Sequence, residues 1–438
     1  MSSALDQILL IPAIGRRGVP VDVPTGFDFT PPFDITKFGK TKFTTNVDID
    51  FYQVESEVTY YLSPDGDDSN DGLTIGEPKK SISTLISALN ADPPTGATLI
   101  LAPGTYAGTD AIYASNFTFP CNVICPSGRA LLSYFLTPTW TKTAGRDNVY
   151  QFSSGAAIPA MIDHTNVDEF GFPKRLRIIG GGDIAAVDAT PGSCAIITST
   201  TFIHLHDSRE PDGDVTVFGT GINGVTQTSD VDLFFRNIDL WGWNQNFRRV
   251  TTGSGQTVFD NSTFLYGRNG DNSYFQPTGA SLVLLNNCTA AYAWSDGFNH
   301  RNDARVVEIG CRGVYNGLTA SPGSENGSTT HNNVRSIRIN GIYTHNMDRN
   351  IHDITETRNW LMGCQSGFAQ NGSTNKYANA NFVFGREGQT DATLAWLDGC
   401  TSLGGSASDL GAYGDSVVKT RDVFGMNITD GDGTIESY

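Results

Sequence analysis

What the chain lacks narrows its role first. Positive charge is scarce: 29 Lys and Arg stand against 46 Asp and Glu in 438 residues, a formal net charge of -17. Nucleic acid is held by surfaces that neutralise phosphates, so no nucleic-acid partner is expected. No apolar run approaches the roughly 20 residues a helix needs to cross a bilayer, so no membrane insertion is expected either. The N-terminal stretch Met1 to Gly15 has an apolar patch with Asp6 before it and Arg16 and Arg17 after it, the reverse of a secretory signal, so synthesis in a cytoplasm is the expectation. Cysteines number seven, and an odd count does not suggest a disulfide framework. Cys121 and Cys125 lack a second metal-spaced pair, so zinc is not expected. There is no Ser/His/Asp signature, phosphate-binding loop or dinucleotide fingerprint, and the Gly-rich segment 404–414 reads as loop.

What the chain has is a repeat. Between Leu282 and Phe368 short apolar runs end at an Asn or Gly, followed by a small or apolar residue and later an aromatic. With the Asn or Gly as anchor, the series runs Asn237, Asn261, Asn287, Gly310, Gly341, Gly363, Gly399 and Gly425. Spacings in the twenties and thirties mark a solenoid whose insertions are loops. The residue after each anchor, Ile238, Ser262, Cys288, Cys311, Ile342, Cys364, Cys400 and Met426, is small or apolar throughout, as a stacked core position requires. Two before the anchors come Phe235, Phe259, Leu285, Glu308, Ile339, Leu361 and Leu397. Glu308 is the misfit there: it is buried with a partner, or the register slips. Tyr266, Tyr292, Tyr315 and Phe368 form a broken aromatic column five after the anchors. Strands bounded by Gly, Asn and Asp, with no helical pattern between them, imply an all-β parallel β-helix.

Residues 1–56 are rich in Pro and Phe without periodicity and read as an extended arm that needs a surface to lie against. Residues 57–130 read as a cap and first coil, with Ile82, Leu85, Ile86 and Leu89 at helical spacing. A helix there covers the open end of the stack. The segment Tyr60 to Gly72, this helix and the strand ending Pro103-Gly104-Thr105-Tyr106 together resemble the opening of pectate-lyase-like right-handed parallel β-helix proteins. That superfamily includes lyases, hydrolases, epimerases and phage tailspikes, so the resemblance implies a fold and polysaccharide chemistry but no single reaction. In the turn Asp65 to Asp71, four carboxylates and Asn70 between glycines suit a hard cation such as calcium, although the Glu closing an EF-hand loop is missing. The other reading is a plain Asx turn.

Residues 131–230 read as a β-rich insertion, and 231–438 as the main helix. In the insertion, His204 and His206 alternate with Ile203 and Leu205 and should share a solvent face, without a visible third metal ligand. The segment His206 to Asp212 resembles insertions in phage-tail β-helix proteins and in some glycosidases of this fold.

Chemistry is expected where ionisable groups are densest. His300, His331 and Asp353 each lie ten residues before an anchor, which would stack them on consecutive coils about 4.8 Å apart. Asp296 and Glu325 join them as candidate catalytic groups, and Arg301, His345, Asp348 and His352 as candidate substrate-binding groups. Strict alternation with Phe298 and Ile351 would instead turn the column inward, as satisfied core polar groups. A lyase would use His300 or His331 as base with Arg301; a hydrolase would use Asp296 with Asp353 or Glu325.

The arm, the cap and the absence of an export signal together resemble a phage tailspike or tail fibre. This implies a homotrimer on the virion tail, attached to tail or baseplate proteins and binding a bacterial surface polysaccharide, with release by lysis. A free-standing polysaccharide lyase or glycoside hydrolase, and a non-catalytic fibre or adhesin, are the alternatives.

Overall fold

The computed structural model describes residues 18–113, 115–153, 160–219, 221–268, 270–317, 325–370, 380–390, 392–406 and 408–438. Among them, three parallel sheets of twelve, nine and nine strands form a β-helix. One coil shows the plan. Phe298–His300 lies in one nine-stranded sheet, here the site sheet. Arg305–Ile309 follows in the twelve-stranded long sheet, and Arg312–Val314 in the second nine-stranded sheet. The next coil repeats the plan with Ser328–Thr330, Arg335–Ile339 and Ile342–Thr344. Partners are in register: Phe298 lies beside Ser328, Val307 beside Ile337 and Gly313 beside Tyr343.

The anchors are the corners between the long and second sheets. Asn237, Asn261, Asn287, Gly310, Gly363 and Gly399 all have φ between 48° and 67°, the left-handed region that favours Gly and Asn. Two anchors move. In the fifth coil Asn340, with φ 53°, holds the corner rather than Gly341, and in the last Asp422, with φ 51°, holds it rather than Gly425. Asn340 and Gly341 both suit a left-handed corner, so the pair is ambiguous in sequence. Gly341 serves a different need: a Cβ there would lie 2.5 Å from the Tyr343 ring.

Moving that anchor by one residue repairs three columns. Five after Asn340 stands His345, which fills the gap between Tyr315 and Phe368. The stack Tyr266, Tyr292, Tyr315, His345, Phe368 has centroid spacings of 5.5, 5.4, 4.9 and 4.9 Å. All five are left-handed, with φ from 56° to 61°, a conformation costly for bulky side chains and here offset by ring stacking. Two before Asn340 stands Arg338, directly beside Glu308. Ten before it stands Thr330, so the column reads His300, Thr330, Asp353, and His331 lies one residue outside it.

That column faces inward. His300, Glu308, Arg338 and Asp353 are fully buried. His300 Nε2 lies 2.9 Å from Glu308, the Tyr343 hydroxyl donates to Glu308 at 2.5 Å, and Arg338 grips Asp353 at 2.7 and 2.9 Å. The expectation that His300 and Asp353 face a substrate is therefore corrected: both are inside the helix and engaged in a closed network. Despite its burial, Glu308 is held down to about 2 by His300 and Arg338.

The arm docks. On the outer face of the long sheet Phe234, Val258, Leu284, Val307, Ile337, Trp360 and Trp396 form one apolar column. Phe27 meets both tryptophan rings edge-on at 5.8 and 5.7 Å. Asp28 pairs with Arg335 and Arg358, Lys37 with Asp398, and Asp50 with Arg236. Residues 1–17 of the arm lie outside the described residues. At the start of the stack helix α1 (Ile82–Ala91) buries Ile82, Leu85, Ile86 and Leu89, with the Ser81 hydroxyl accepting from the Thr84 N–H at its N-terminus. The insertion holds a five-stranded and a four-stranded sheet, largely antiparallel, and a second short helix, Ile184–Asp188.

Arg338→Met would leave Glu308 and Asp353 as buried carboxylates without their cation. We expect a loss of about 3–5 kcal/mol in denaturant unfolding, and a much smaller loss for the double variant Arg338→Leu/Asp353→Leu, in which Glu308 keeps His300 and Tyr343. Glu308 has its pKa depressed on folding, so its stabilisation is complete above about 4.5 and is lost as pH falls toward about 2. Unfolding midpoints measured from pH 6 to 2 should show this slope, and Glu308→Gln should flatten it. Deletion of residues 1–56 should expose the tryptophan column, giving dye binding and aggregation; a soluble deletion of unchanged stability would contradict the docking role.

Candidate active site

Alternation along the site sheet sends every second residue outward. Tyr274, Asn299, Thr329 and His352 form one outward column, and Arg301 and His331 another. Just ahead of these strands lie Asp271, Asp296, Asn326 and Arg349, again on successive coils.

Asp271 and Asp296 are a carboxylate pair. The Asn299 Nδ2 donates to both, at 3.0 Å each, so the two accepting oxygens are no more than about 6 Å apart. The Asp296 N–H donates to Asp271 at 3.1 Å. The Asn326 backbone and side-chain N–H groups converge on Asp296 Oδ1 at 2.9 and 2.8 Å. Burial, and then the charge of Asp296, push Asp271 up to about 7. Asp271 borders solvent at 7 % exposure, while Asp296 lies beneath it at 0 %. The chemistry this permits is proton donation near neutral pH by Asp271.

Cations gather on the same face. The Arg301 guanidinium lies 5.4 Å from the Tyr274 ring centre and donates to Asn299 Oδ1 at 3.1 Å. Arg349 pairs with Asp348 at 2.5 Å. Exposed Arg386 lies close enough to sense Arg301, Asp296 and Asp348. Burial, then Arg301 and Arg386, lower His331 to about 3, and burial with Arg349 and Arg386 lowers His352 well below its ordinary value. Both imidazoles are neutral at pH 7. Burial raises Asp348 against the pull of Arg349 and Arg386.

Of the residues singled out in sequence, Asp296, Arg301, His331, Asp348 and His352 come together here. Glu325 is buried in the turn before Ser328–Thr330, its carbonyl accepting from the Asp348 N–H at 3.2 Å. His300 and Asp353 are inside the helix. His345 belongs to the aromatic stack on another face, 3.8 Å from Glu169 of the insertion. Asp271, Tyr274, Asn299, Arg349 and Arg386 were missed. Asp271 was findable, because Asp271-Asn272-Ser273 and Asp296-Gly297-Phe298 are equivalent turns 25 residues apart. Arg386 was not, since the equivalent positions on earlier coils, Asn302, Asn332 and Thr355, carry no charge to align with it.

The other candidate ligand groups are accounted for by the protein. In the Asp65 to Asp71 turn, Asp68 accepts from the Lys80 and Ser81 N–H groups, Asp67 from Ser69 and Asp71 from Leu73. The Lys79 ammonium binds the carbonyls of Asp68 and Asn70. The carboxylate geometry is that of an Asx turn. His204 and His206 do not share a solvent face: His204 is buried, bonded to the Val187 carbonyl and the Ser208 hydroxyl, while His206 meets Asp163 at 2.8 Å. Asp163, His206 and Asp207 offer a three-ligand grouping, but Arg209 already holds Asp163 at 2.9 and 3.0 Å.

No protein-family model matches the chain, and no curated protein matches it. Among solved structures it is similar to the pectate lyase Pel9A, with 12% identity over 87% of this chain and 80% of that one and a TM-score of 0.45. It is similar to XylC in complex with xylose, at 8% identity over 85% and 70% with a TM-score of 0.48. It is also similar to the gp42 tailspike of Acinetobacter phage vb_AbaP_AS12, at 9% identity over 88% and 62% with a TM-score of 0.35. No residue of the site is carried over from these structures.

Carboxyl-carbon NMR should find Asp271 titrating near 7, and Asp296→Asn should lower that value by removing the neighbouring charge. The folded carboxyl keeps its proton to higher pH than the unfolded one, so its contribution to stability should decline as pH rises from about 3.8 to about 7.

Proposed function

We propose that this protein binds a bacterial surface polysaccharide along the site sheet and hydrolyses it, as the spike of a phage tail. The observation that carries the reaction is the Asp271–Asp296 pair, with one member pushed up to about 7. Glycoside hydrolysis needs a proton donor at the leaving oxygen and a second carboxyl group on the reacting sugar. Asp271 is the donor, and substrate meets it first. Asp296 is the second carboxyl group of the pair, lying beneath Asp271, and its charge keeps Asp271 protonated. Tyr274 offers an aromatic ring and neutral His331 and His352 offer hydrogen bonds to hydroxyl groups. The low value of His331 favours hydrolysis over elimination, because an imidazole at about 3 is a weak base for removing a sugar C–H proton.

The tailspike part of the proposal rests on the resemblance carried by the Pro-rich arm ahead of a capped β-helix and includes a homotrimer, a place on the virion tail, and tail or baseplate proteins as partners. Residues from Gly18 to about 56 are already engaged with the long sheet, so attachment falls to the arm before Gly18 or to another surface.

The test is incubation with a panel of capsular and lipopolysaccharide glycans, following reducing ends and the ultraviolet absorbance of unsaturated uronates, beside Asp271→Asn. New ends without absorbance, reduced at least a hundredfold in the variant, support hydrolysis at this site. Absorbance would mean a lyase. Binding without release, unchanged in the variant, would mean a receptor-binding spike with no enzyme activity. Sedimentation of the full chain tests the trimer.

A further inference from the structure

Arginine is disposed oddly on the site face. In a chain with 17 more acidic than basic residues, Arg301, Arg349 and Arg386 crowd one surface. Only Arg349 has a carboxylate partner within ion-pair distance, Asp348. Arg301 is bonded to an amide oxygen and stacked on Tyr274. Arg386 has no side-chain hydrogen bond or ion pair among the described residues. Arg349 is 5 % exposed, yet its Nε has no hydrogen-bond partner, and Asp348 Oδ1 beside it has none either. An unpartnered guanidinium N–H in so enclosed a place costs free energy, and so does the mutual repulsion of three cations. A bound anion would relieve both.

We infer that Arg301, Arg349 and Arg386 form an anion subsite, and that the glycan bound on this face carries a carboxylate-bearing sugar. The inference rests on the glycan reading and adds the substrate class. A planar carboxylate matches the guanidinium fork, which can donate two parallel hydrogen bonds. Coils rise about 4.8 Å each, close to the length of one sugar unit in an extended chain, so a polymer lying along the axis would place an acidic sugar at Arg349 and Arg386 three to four coils from Asp271. Burial lowers both Arg349 and Arg386, and a neighbouring arginine lowers each further while Asp348 and Asp296 pull each back up.

The experiment titrates the full chain with sodium glucuronate, glucose and inorganic phosphate at constant ionic strength, following the side-chain Nε–H resonances of arginine by NMR. Saturable shifts with glucuronate and none with glucose are expected, with at least tenfold weaker binding in Arg386→Gln and partial recovery in Arg386→Lys. No saturable shift with glucuronate, an unchanged shift in Arg386→Gln, or binding of phosphate alone would overturn the inference. So would cleavage of a neutral glycan that Arg386→Gln leaves undiminished, in which case the polysaccharide reading would stand without the subsite. Glucuronate binding by a protein that retains no polysaccharide would instead support the subsite and sink the polysaccharide reading.

Discussion

Everything in this protein follows from one constraint: each coil must present its backbone N–H and C=O groups to the coil before and the coil after, in register. A strand can therefore not slide by one residue without turning its side chains over. The corners enforce this. From Leu233 to Arg421 a left-handed residue ends each strand of the long sheet, and from Ile238 to Gly367 another, usually aromatic, ends each strand of the second sheet. Between these fixed points side chains fall into columns, and a column reads as core, corner or surface along the whole molecule.

The same constraint explains how four ionisable groups come to lie in the core. Glu308 and Arg338 occupy adjacent places in a column, flanked by Leu285 and Leu361, and His300 and Asp353 approach them from the site sheet. Neither charge would be tolerable without the other. Their backbone neighbours Asn299, Arg301, Thr329 and His352 point the opposite way and line the candidate site. The buried network thus holds the strands that carry the site, while taking no part in its chemistry.

Much of this was legible in the sequence because columns are periodic. The β-helix, the inward cysteines and most of the aromatic stack follow from anchor spacing, and the capping helix from the helical spacing of Ile82, Leu85, Ile86 and Leu89. The inward reading of His300 and Asp353 was also available, from alternation with Phe298 and Ile351. What misled was a single ambiguous pair, Asn340-Gly341, either of which could hold a left-handed corner; choosing Gly341 placed His331 where Thr330 stands and hid both Arg338 and His345. The carboxylate pair could be sought by comparing turns, whereas Arg386 has only Asn and Thr at the equivalent positions of the coils before it. Where the arm docks was not legible, since an irregular segment carries no repeat to align.

The docked arm changes what kind of folding unit this is. In an isolated solenoid each coil touches only its neighbours, so ends can fray and stability adds up step by step. Here one continuous strap meets Trp396 and Asp398 near the far end and, through Val54, Asn122 near the beginning. Coils separated by hundreds of residues share a common tether, and a coil cannot peel away without loosening contacts elsewhere along the strap. Long-range cooperativity, which a one-dimensional stack ordinarily lacks, is supplied from outside it by the least regular part of the chain.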